Sequence, residues 1–192
     1  MKTVGKEARV YFEERKSKFI GSVKSVATRD EAEQFLASVR AIYPDATHHC
    51  SVYRLVEKGQ EYYKTDDDGE PSGTAGKPMG DVLTRMEVGN VVLVATRYFG
   101  GIKLGAGGLI RSYARCAKMA VQEAGIRDYI EKSVWLLEIP YDKVEEVEGI
   151  LREDAAEVLE KGFAENVAYK VKISPEALER LRNVKNIFLL EL

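Results

Sequence analysis

The sequence has few residues of the types that build disulfide scaffolds and metal centres. Its 192 residues include two cysteines, two histidines and one tryptophan. Two cysteines are too few for a disulfide-stabilised fold, and such low usage is typical of proteins kept in a reducing compartment. We therefore expect a cytoplasmic protein that is not held together by disulfides.

Long apolar runs are also absent. The longest, at residues 91–95, is far shorter than the roughly 20 residues of a membrane-spanning helix. Lys2, Lys6 and Glu7 interrupt the N-terminal stretch, which therefore does not resemble a signal region. With 45% hydrophobic and 31% charged residues, the composition is that of a folded protein with no membrane partner.

Acidic residues are missing from one long segment. No Asp or Glu occurs between residues 88 and 122, although five basic residues do. They are Arg97, Lys103, Arg111, Arg115 and Lys118. Segment 128–165, in contrast, carries twelve acids and four bases, so the net charge of −2 conceals an asymmetry. A polyanion would be attracted to the basic segment, whereas the acidic segment is typical of a solvated surface.

The basic segment contains a glycine-rich turn between an apolar strand and a predicted helix at 105–124. Glycine lets backbone N–H groups approach a ligand, and the start of a helix attracts anions. Helical spacing places Arg111, Arg115 and Lys118 in one sector. The pattern predicts a nucleic-acid or anion-binding surface made of Arg97, Tyr98, Lys103, Gly105, Gly107, Gly108, Arg111, Arg115 and Lys118. Tight packing is the alternative explanation for Gly100 and Gly101.

Hydrophobic periodicity predicts an α+β protein of two domains, residues 1–130 and 131–192. In the first, we expect strands at 8–12, 18–26 and 90–96, and a helix capped by Thr28. A strand from His48 should pair with 61–65 after a turn at Lys58. Pro78 should begin a short helix that runs to Met86. The second domain has the strand-helix-strand-strand-helix-strand order of ferredoxin-like folds.

A loop of small and acidic residues at 66–78 is a second candidate site, because long loops inside compact domains are usually functional. Its candidate ligand-binding residues are Asp67, Asp68, Glu70, Ser72, Thr74 and Lys77. Two carboxylates would suffice for Mg²⁺, but the spacing does not fit an EF-hand, and an acidic turn is the alternative. Ser72 has no assigned base, so serine catalysis is unsupported.

Known cofactor fingerprints do not fit. A dinucleotide-binding turn would need glycine at Ile110, and a P-loop would need Gly at 71 and Ser or Thr at 78, where prolines stand. His48 and Cys50 share one strand face while His49 points away, and no further histidine is available for a tetrahedral metal site. We expect no cofactor and no metal, and a partly buried strand for these three residues.

Four blocks of the sequence resemble the signature blocks of the IMPACT/YigZ family. They are RKSKFIG at 15–21, YPDATHHC at 43–50, DDGEPSGTAGKP at 67–78 and TRYFGGIKLGAGGL at 96–109. The resemblance implies an N-terminal domain similar to the left-handed βαβ domain of a small-subunit ribosomal protein. It also implies a C-terminal ferredoxin-like domain similar to one in elongation factor G.

The resemblance further implies a role in translation, since eukaryotic relatives resemble regulators that bind the activator of a stress kinase. It carries no established catalytic residue, so we expect binding rather than catalysis. Our first hypothesis is a cytosolic translation-associated regulator that binds RNA or the ribosome through the glycine-rich basic surface. The alternatives are a phosphate-ligand enzyme using Asp67, Asp68 and the 100–108 turn, and a protein-interaction module in stress regulation.

Overall fold

The computed structural model describes residues 1–57 and 59–192. The chain divides into two compact units, Met1–Tyr129 and Ile130–Leu192. Both units combine helices and strands, and the described residues form five α-helices and three sheets. The predicted mixture of helices and strands is confirmed.

A five-stranded sheet is the centre of the first unit. Its strands are β2 (Ala8–Glu14), β3 (Ser17–Ser25), β4 (His48–Glu57), β5 (Gln60–Asp66) and β6 (Val91–Tyr98). They lie in the order β2-β3-β6-β4-β5, and every neighbouring pair is antiparallel. A separate two-stranded ladder joins β1 (Lys2–Val4) to β7 (Ile126–Asp128). These strands have three residues each and were not predicted, because such short strands carry no measurable period.

Helices cover both faces of this sheet. They are α1 (Arg29–Ile42), α2 (Gly76–Arg85) and α3 (Gly105–Ala124). Helix α1 packs Phe35 and Val39 against Val92 and Val94 on one face. Helices α2 and α3 form the larger core on the other face, where Leu93 and its alternate neighbours on β6 point. Strand β6 is therefore buried on both sides, which explains its continuous apolar sequence.

Several predicted element boundaries are confirmed. Thr28 caps α1, since its hydroxyl accepts the Glu31 N–H at 3.2 Å. Gly125, with a φ of +70°, ends α3. Helix α2 begins at Gly76, two residues before Pro78, which corrects the predicted start at Pro78. The carboxylate of Asp67 accepts the N–H groups of Ala75 and Gly76 at this start. The predicted turn at Lys58 lies outside the described residues.

Besides a short 3-10 helix at Tyr141–Lys143, the second unit contains four strands and two α-helices in the predicted order. They are β8 (Ser133–Ile139), α4 (Val144–Glu153), β9 (Glu157–Phe163), β10 (Val167–Ile173), α5 (Pro175–Arg182) and β11 (Phe188–Glu191). The strands form an antiparallel sheet in the order β11-β8-β10-β9. Ser174 caps α5 by accepting the Ala177 N–H at 3.1 Å. Among the described residues, no helix has the length and apolar character needed to cross a membrane.

Candidate anion-binding site

In the glycine-rich turn, close packing accounts for Gly100 and backbone conformation accounts for Gly101. A Cβ at Gly100 would lie 2.0 Å from the carbonyl group of Lys16 and 2.5 Å from the nitrogen of Ser17. The β2–β3 turn therefore rests directly on the chain that leads from β6 into α3. Gly101 has a φ of +84°, which only glycine adopts without strain. The contact at Gly100 thus holds the basic β2–β3 turn against the chain that leads into α3.

The start of α3 is open to solvent. Its N-cap residue, Leu104, makes no side-chain cap, and the first turn contains no acid. Gly105 and Gly107 are exposed, and a Cβ at Gly107 would lie 3.4 Å from Nη1 of Arg111. The first N–H groups of a helix have no intrahelical partner, and the helix dipole makes this end positive. The geometry therefore leaves this end free to receive an anion.

Beside this helix start lies a cleft of about 240 Å³, which we call the arginine cleft. It is lined by Glu14, Arg15, Leu104, Gly108, Arg111, Ser112 and Arg115. Its three arginines form no ion pair with any residue the structure describes. The guanidinium of Arg115 lies 4.4 Å from the ring centroid of Phe12, a cation–π contact that holds it in place.

Other predicted surface residues extend from the cleft along α3. Lys103 and Lys118 are exposed, and neither forms an ion pair within the described part of the chain. Lys103 precedes the first turn of α3, whereas Lys118 follows Arg115 on the same helical face. The structure thus brings Gly108, Arg111 and Arg115 together at the cleft. It places the two lysines, Gly105 and Gly107 on the adjoining surface.

Arg97 is buried rather than exposed, which corrects its assignment as a phosphate ligand. Its side chain is 5% exposed, and Nη1 donates to Oε1 of Glu70 at 2.6 Å. Nη2 donates to Oγ of Ser17 at 3.1 Å, and the hydroxyl of Tyr113 donates to the same Glu70 oxygen at 2.8 Å. The charge of Arg97 is therefore balanced inside the protein. The hydrogen bonds among Arg97, Glu70 and Tyr113 connect the 66–78 loop and α3 to the C-terminal end of β6.

Tyr98 also lies away from the cleft. By strand alternation it belongs to the face of β6 that α1 covers, and its hydroxyl donates to Oδ1 of Asp45 at 2.9 Å. The neighbouring Phe99 is 48% exposed and is the aromatic ring of this turn that faces solvent. Of these two aromatic side chains, Phe99 is the more exposed.

The acidic loop uses its carboxylates to hold its own backbone. Oδ1 of Asp67 accepts the N–H groups of Ala75 at 3.0 Å and Gly76 at 2.8 Å, and Oδ2 accepts that of Gly73 at 2.7 Å. Asp68 accepts the His49 N–H at 2.6 Å and also pairs with Arg40. Within the described residues, no three His, Cys, Asp or Glu side chains are placed to hold a metal ion.

Two of the remaining predicted loop residues, Thr74 and Lys77, form local contacts within the protein. The hydroxyl of Thr74 donates to the carbonyl of Pro71 at 2.6 Å, and Lys77 pairs with Asp81 on α2 at 2.9 Å. Ser72 is exposed and has no hydrogen-bond partner in the described ranges. None of the loop residues lines the arginine cleft. The loop and the cleft are therefore separate parts of the first unit.

Neither cysteine is suited to nucleophilic chemistry. Cys50 is buried, and its thiol donates to the carbonyl of Asp67 at 3.0 Å. Burial raises the pKa of the Cys50 thiol well above its usual range, although the hydrogen bond to Tyr113 acts in the opposite direction. Burial also raises the pKa of Cys116 to about 12. Both thiols are therefore protonated at neutral pH, and the thiolate is the reactive form.

His49 makes the stability of the first unit depend on pH. The residue is 7% exposed, with Nδ1 3.0 Å from Oγ1 of Thr96 and Nε2 3.1 Å from the carbonyl oxygen of Tyr43. Burial lowers the pKa of His49 below its ordinary value of 6.5. Below that value the unfolded chain takes up a proton that the folded chain resists, so folding stability is lost as pH falls.

We expect His49→Gln to remove this dependence. The free energy of unfolding of the wild type relative to the variant should be constant above the ordinary pKa of 6.5. Below it, the difference should fall by at most about 1.4 kcal/mol per pH unit, the limit for one proton. Urea unfolding of both proteins between about pH 5 and 8 measures the difference. If the difference in the free energy of unfolding stays constant across that range, His49 has the same pKa in the folded and the unfolded state.

Comparison with known proteins identifies relatives over most of the chain. The Impact N-terminal domain family matches residues 15–121. The IMPACT family member YvyE of Bacillus subtilis is 37% identical over 158 residues, covering 82% of this chain and 72% of that protein. An IMPACT family member of Haemophilus influenzae is 33% identical over 179 residues, covering 92% of this chain and 86% of that protein.

Solved structures add two comparisons. The crystal structure of a hypothetical protein, 28% identical in sequence, aligns over 100% of this chain and 96% of its own with a TM-score of 0.63. The two-domain translational regulator Yih1 is 30% identical over 65% of this chain and 47% of its own, with a TM-score of 0.41. The family match spans more than half of the chain and includes the β2–β3 turn and every residue of the arginine cleft except Glu14. The chain belongs to the IMPACT family.

Proposed function

We propose that this protein is a cytosolic translation-associated regulator that binds RNA, free or within the ribosome, through the basic surface of α3. The observation that carries the proposal is the set of unpaired arginines beside the open start of that helix. Membership of the IMPACT family supports a role in translation. The strand order β11-β8-β10-β9 supports a ferredoxin-like fold for the second unit. For the first unit, we propose a domain similar to the left-handed βαβ domain of a ribosomal protein.

The charges on this surface favour a polyanion over a neutral partner. Other cations on the first unit are paired with carboxylates, as Lys77 is with Asp81. Arg15, Arg111 and Arg115 have no such partner among the described residues, and only Glu14 adds a negative charge to the cleft. Phosphate groups bind arginine by paired N–H donors, and the release of counterions makes such binding favourable at low salt.

The surface also offers features that suit a single strand more than a duplex. Phe99 is half exposed at the turn before α3, and an aromatic ring can stack with a base that is free of a helix. The backbone N–H groups at the start of α3 can receive a phosphate in the same region. We therefore expect single-stranded RNA to bind more tightly than double-stranded RNA of equal length.

Removing two cleft arginines should weaken RNA binding. For the Arg111→Ala, Arg115→Ala double variant we expect affinity for a single-stranded RNA to fall by about tenfold or more at moderate salt, because two phosphate contacts are lost. Fluorescence anisotropy with a 3′-labelled RNA measures the dissociation constants. Arg9→Ala, Arg127→Ala is the matched control, since it removes the same charge from exposed positions that do not line the cleft.

The control separates a specific site from general charge attraction. Equal losses in the two double variants would show that RNA responds only to net charge, and binding unchanged in both would exclude this surface. A pulldown from native lysate with and without nuclease addresses the protein-interaction alternative. Partners that are lost on nuclease treatment support RNA as the ligand, whereas a protein retained after nuclease would contradict it.

A further inference from the structure

We propose that the arginine cleft binds a phosphate monoester and, in the RNA complex, holds the 5′-terminal phosphate of the strand. This inference rests on the proposed RNA-binding function and adds the chemical group that the cleft selects. It depends on the charge of the cleft, on its volume and on an unpartnered hydroxyl in its wall.

The charge of the cleft matches a dianion. Three guanidiniums outweigh the one carboxylate of Glu14 by two formal charges. A terminal phosphate carries about −1.5 to −2 charges at pH 7, whereas an internal phosphodiester carries only one. The cleft is therefore better neutralised by the end of a strand than by a phosphate within it.

The volume of the cleft suits one end of a larger molecule. At about 240 Å³ it lies below the range of roughly 300–1,000 Å³ typical of sites that enclose a complete small ligand. It has room for a phosphate and part of the attached sugar, while the rest of the ligand would leave the cleft. The exposed surface around Gly105 and Lys103 adjoins the cleft and can receive the following phosphates.

An unpartnered hydroxyl lies in the wall of the cleft. Ser112 is 5% exposed, yet its Oγ makes no hydrogen bond with a residue that the structure describes. Because Ser112 lines the cleft, its hydroxyl is open to a ligand or to water that enters there. The Ser112 hydroxyl can donate to a phosphate oxygen that enters between the arginines.

Two of the arginines are held ready for such a ligand. The guanidinium carbon of Arg115 lies 4.4 Å from the ring centroid of Phe12, and the N–H groups of this guanidinium form no hydrogen bond with a residue that the structure describes. Arg15 stands in the β2–β3 turn with a φ of +46°, a conformation that non-glycine residues rarely adopt. The contact between this turn and Gly100 keeps Arg15 on the rim of the cleft.

The test compares two forms of one short oligouridylate, with a 5′-phosphate and with a 5′-hydroxyl. For the wild type we expect the phosphorylated form to bind about tenfold more tightly, the effect of charge-assisted hydrogen bonds to the extra group. Ser112→Ala should reduce this ratio toward one while leaving the affinity for the hydroxyl form within about twofold. Arg15→Ala should weaken the binding of both forms, and that of the phosphorylated form more, because Arg15 belongs to the basic surface that both forms contact. Arg127→Ala, an exposed position outside the cleft, should keep the wild-type ratio.

Inorganic phosphate separates this inference from RNA binding itself. If both oligonucleotides bind equally well, the inference is overturned while the RNA-binding proposal stands. If neither binds, but millimolar phosphate raises the melting temperature of the wild type and not of Ser112→Ala at matched ionic strength, the RNA proposal fails and the monoester site is supported. If neither RNA binds and phosphate gives no such shift, both proposals fail.

Discussion

Replacing Glu70 with methionine should lower the free energy of unfolding by about 3–5 kcal/mol, because it leaves a buried charge without its partner. Of its side-chain hydrogen bonds, Arg97 would keep only the one to Ser17, because its Nε already has no partner among the described residues. Its cation–π contacts with Phe19 and Phe99 would remain, but they do not neutralise the charge. The hydroxyl of Tyr113 would lose its acceptor in the same pocket. Among the residues that the structure describes, Glu70 is the only side chain that accepts hydrogen bonds from two buried side-chain donors, Arg97 and Tyr113.

A second variant distinguishes the loss of a partner from the loss of the pair. In Glu70→Met, Arg97→Met the buried charge is absent, so most of the stability should return, as is usual when an ion pair is replaced by apolar residues of similar size. Urea unfolding of the wild type and of both variants measures this. A single variant that costs less than about 1 kcal/mol, the value typical of an exposed pair, would show that the ion pair is solvated.

The substitution Asp67→Ala should destabilise the first unit by about 2–4 kcal/mol, since three backbone N–H groups lose their acceptor together. These are the N–H groups of Gly73, Ala75 and Gly76, and the last two open α2. A helix start without a cap and a loop without its anchor should therefore loosen at the same time. Protection of the α2 amides from hydrogen exchange should fall more than that of the α3 amides.

The matched control is Asp81→Ala, which removes a carboxylate from the exposed face of α2. Its pair with Lys77 is largely solvated, and we expect a loss of less than about 1 kcal/mol. Because the loop does not line the arginine cleft, Asp67→Ala should leave RNA affinity within about twofold at temperatures where it remains folded. A large loss of RNA affinity together with full stability would instead place the loop in the RNA-binding surface.

Much of the fold could be predicted because its signals are local. Thr28 caps a helix with a hydroxyl that reaches three residues along the chain, and Gly125 ends one through its own backbone conformation. The apolar run at 91–95 predicted a buried strand because its length and flanking residues are typical of one. The basic face of α3 followed from helical spacing, which needs no knowledge of the rest of the molecule.

The positions of individual site residues depend on contacts between distant segments, which spacing does not reveal. Arg97 was assigned to the surface because it follows an apolar strand beside glycines, but its partner Glu70 lies 27 residues earlier. One signal was available, since strand alternation places Arg97 on the same face as Leu93, which belongs to the core. A charge on a buried face requires an opposite charge nearby, and the acidic loop was the obvious source.

The arginine cleft could not be recognised from the sequence for a similar reason. Arg15 reaches α3 only because the β2–β3 turn packs on Gly100, 85 residues along the chain. That contact depends on the register of β3 against β6, in which Phe19 pairs with Arg97. Sequence periodicity predicts that strands exist and which faces they bury, but not which strands are neighbours.

The central claim is that the arginines of α3 contact RNA phosphates, and the salt dependence of RNA binding tests it most directly. The logarithm of the binding constant of single-stranded RNA should be measured against the logarithm of salt concentration from about 50 to about 300 mM. The slope for Arg111→Ala, Arg115→Ala should be shallower than that of the wild type by about 1.4, since each contact on a single strand contributes about 0.7. The Arg9→Ala, Arg127→Ala control should keep the wild-type slope, and equal slopes for the wild type and the α3 variant would contradict the claim.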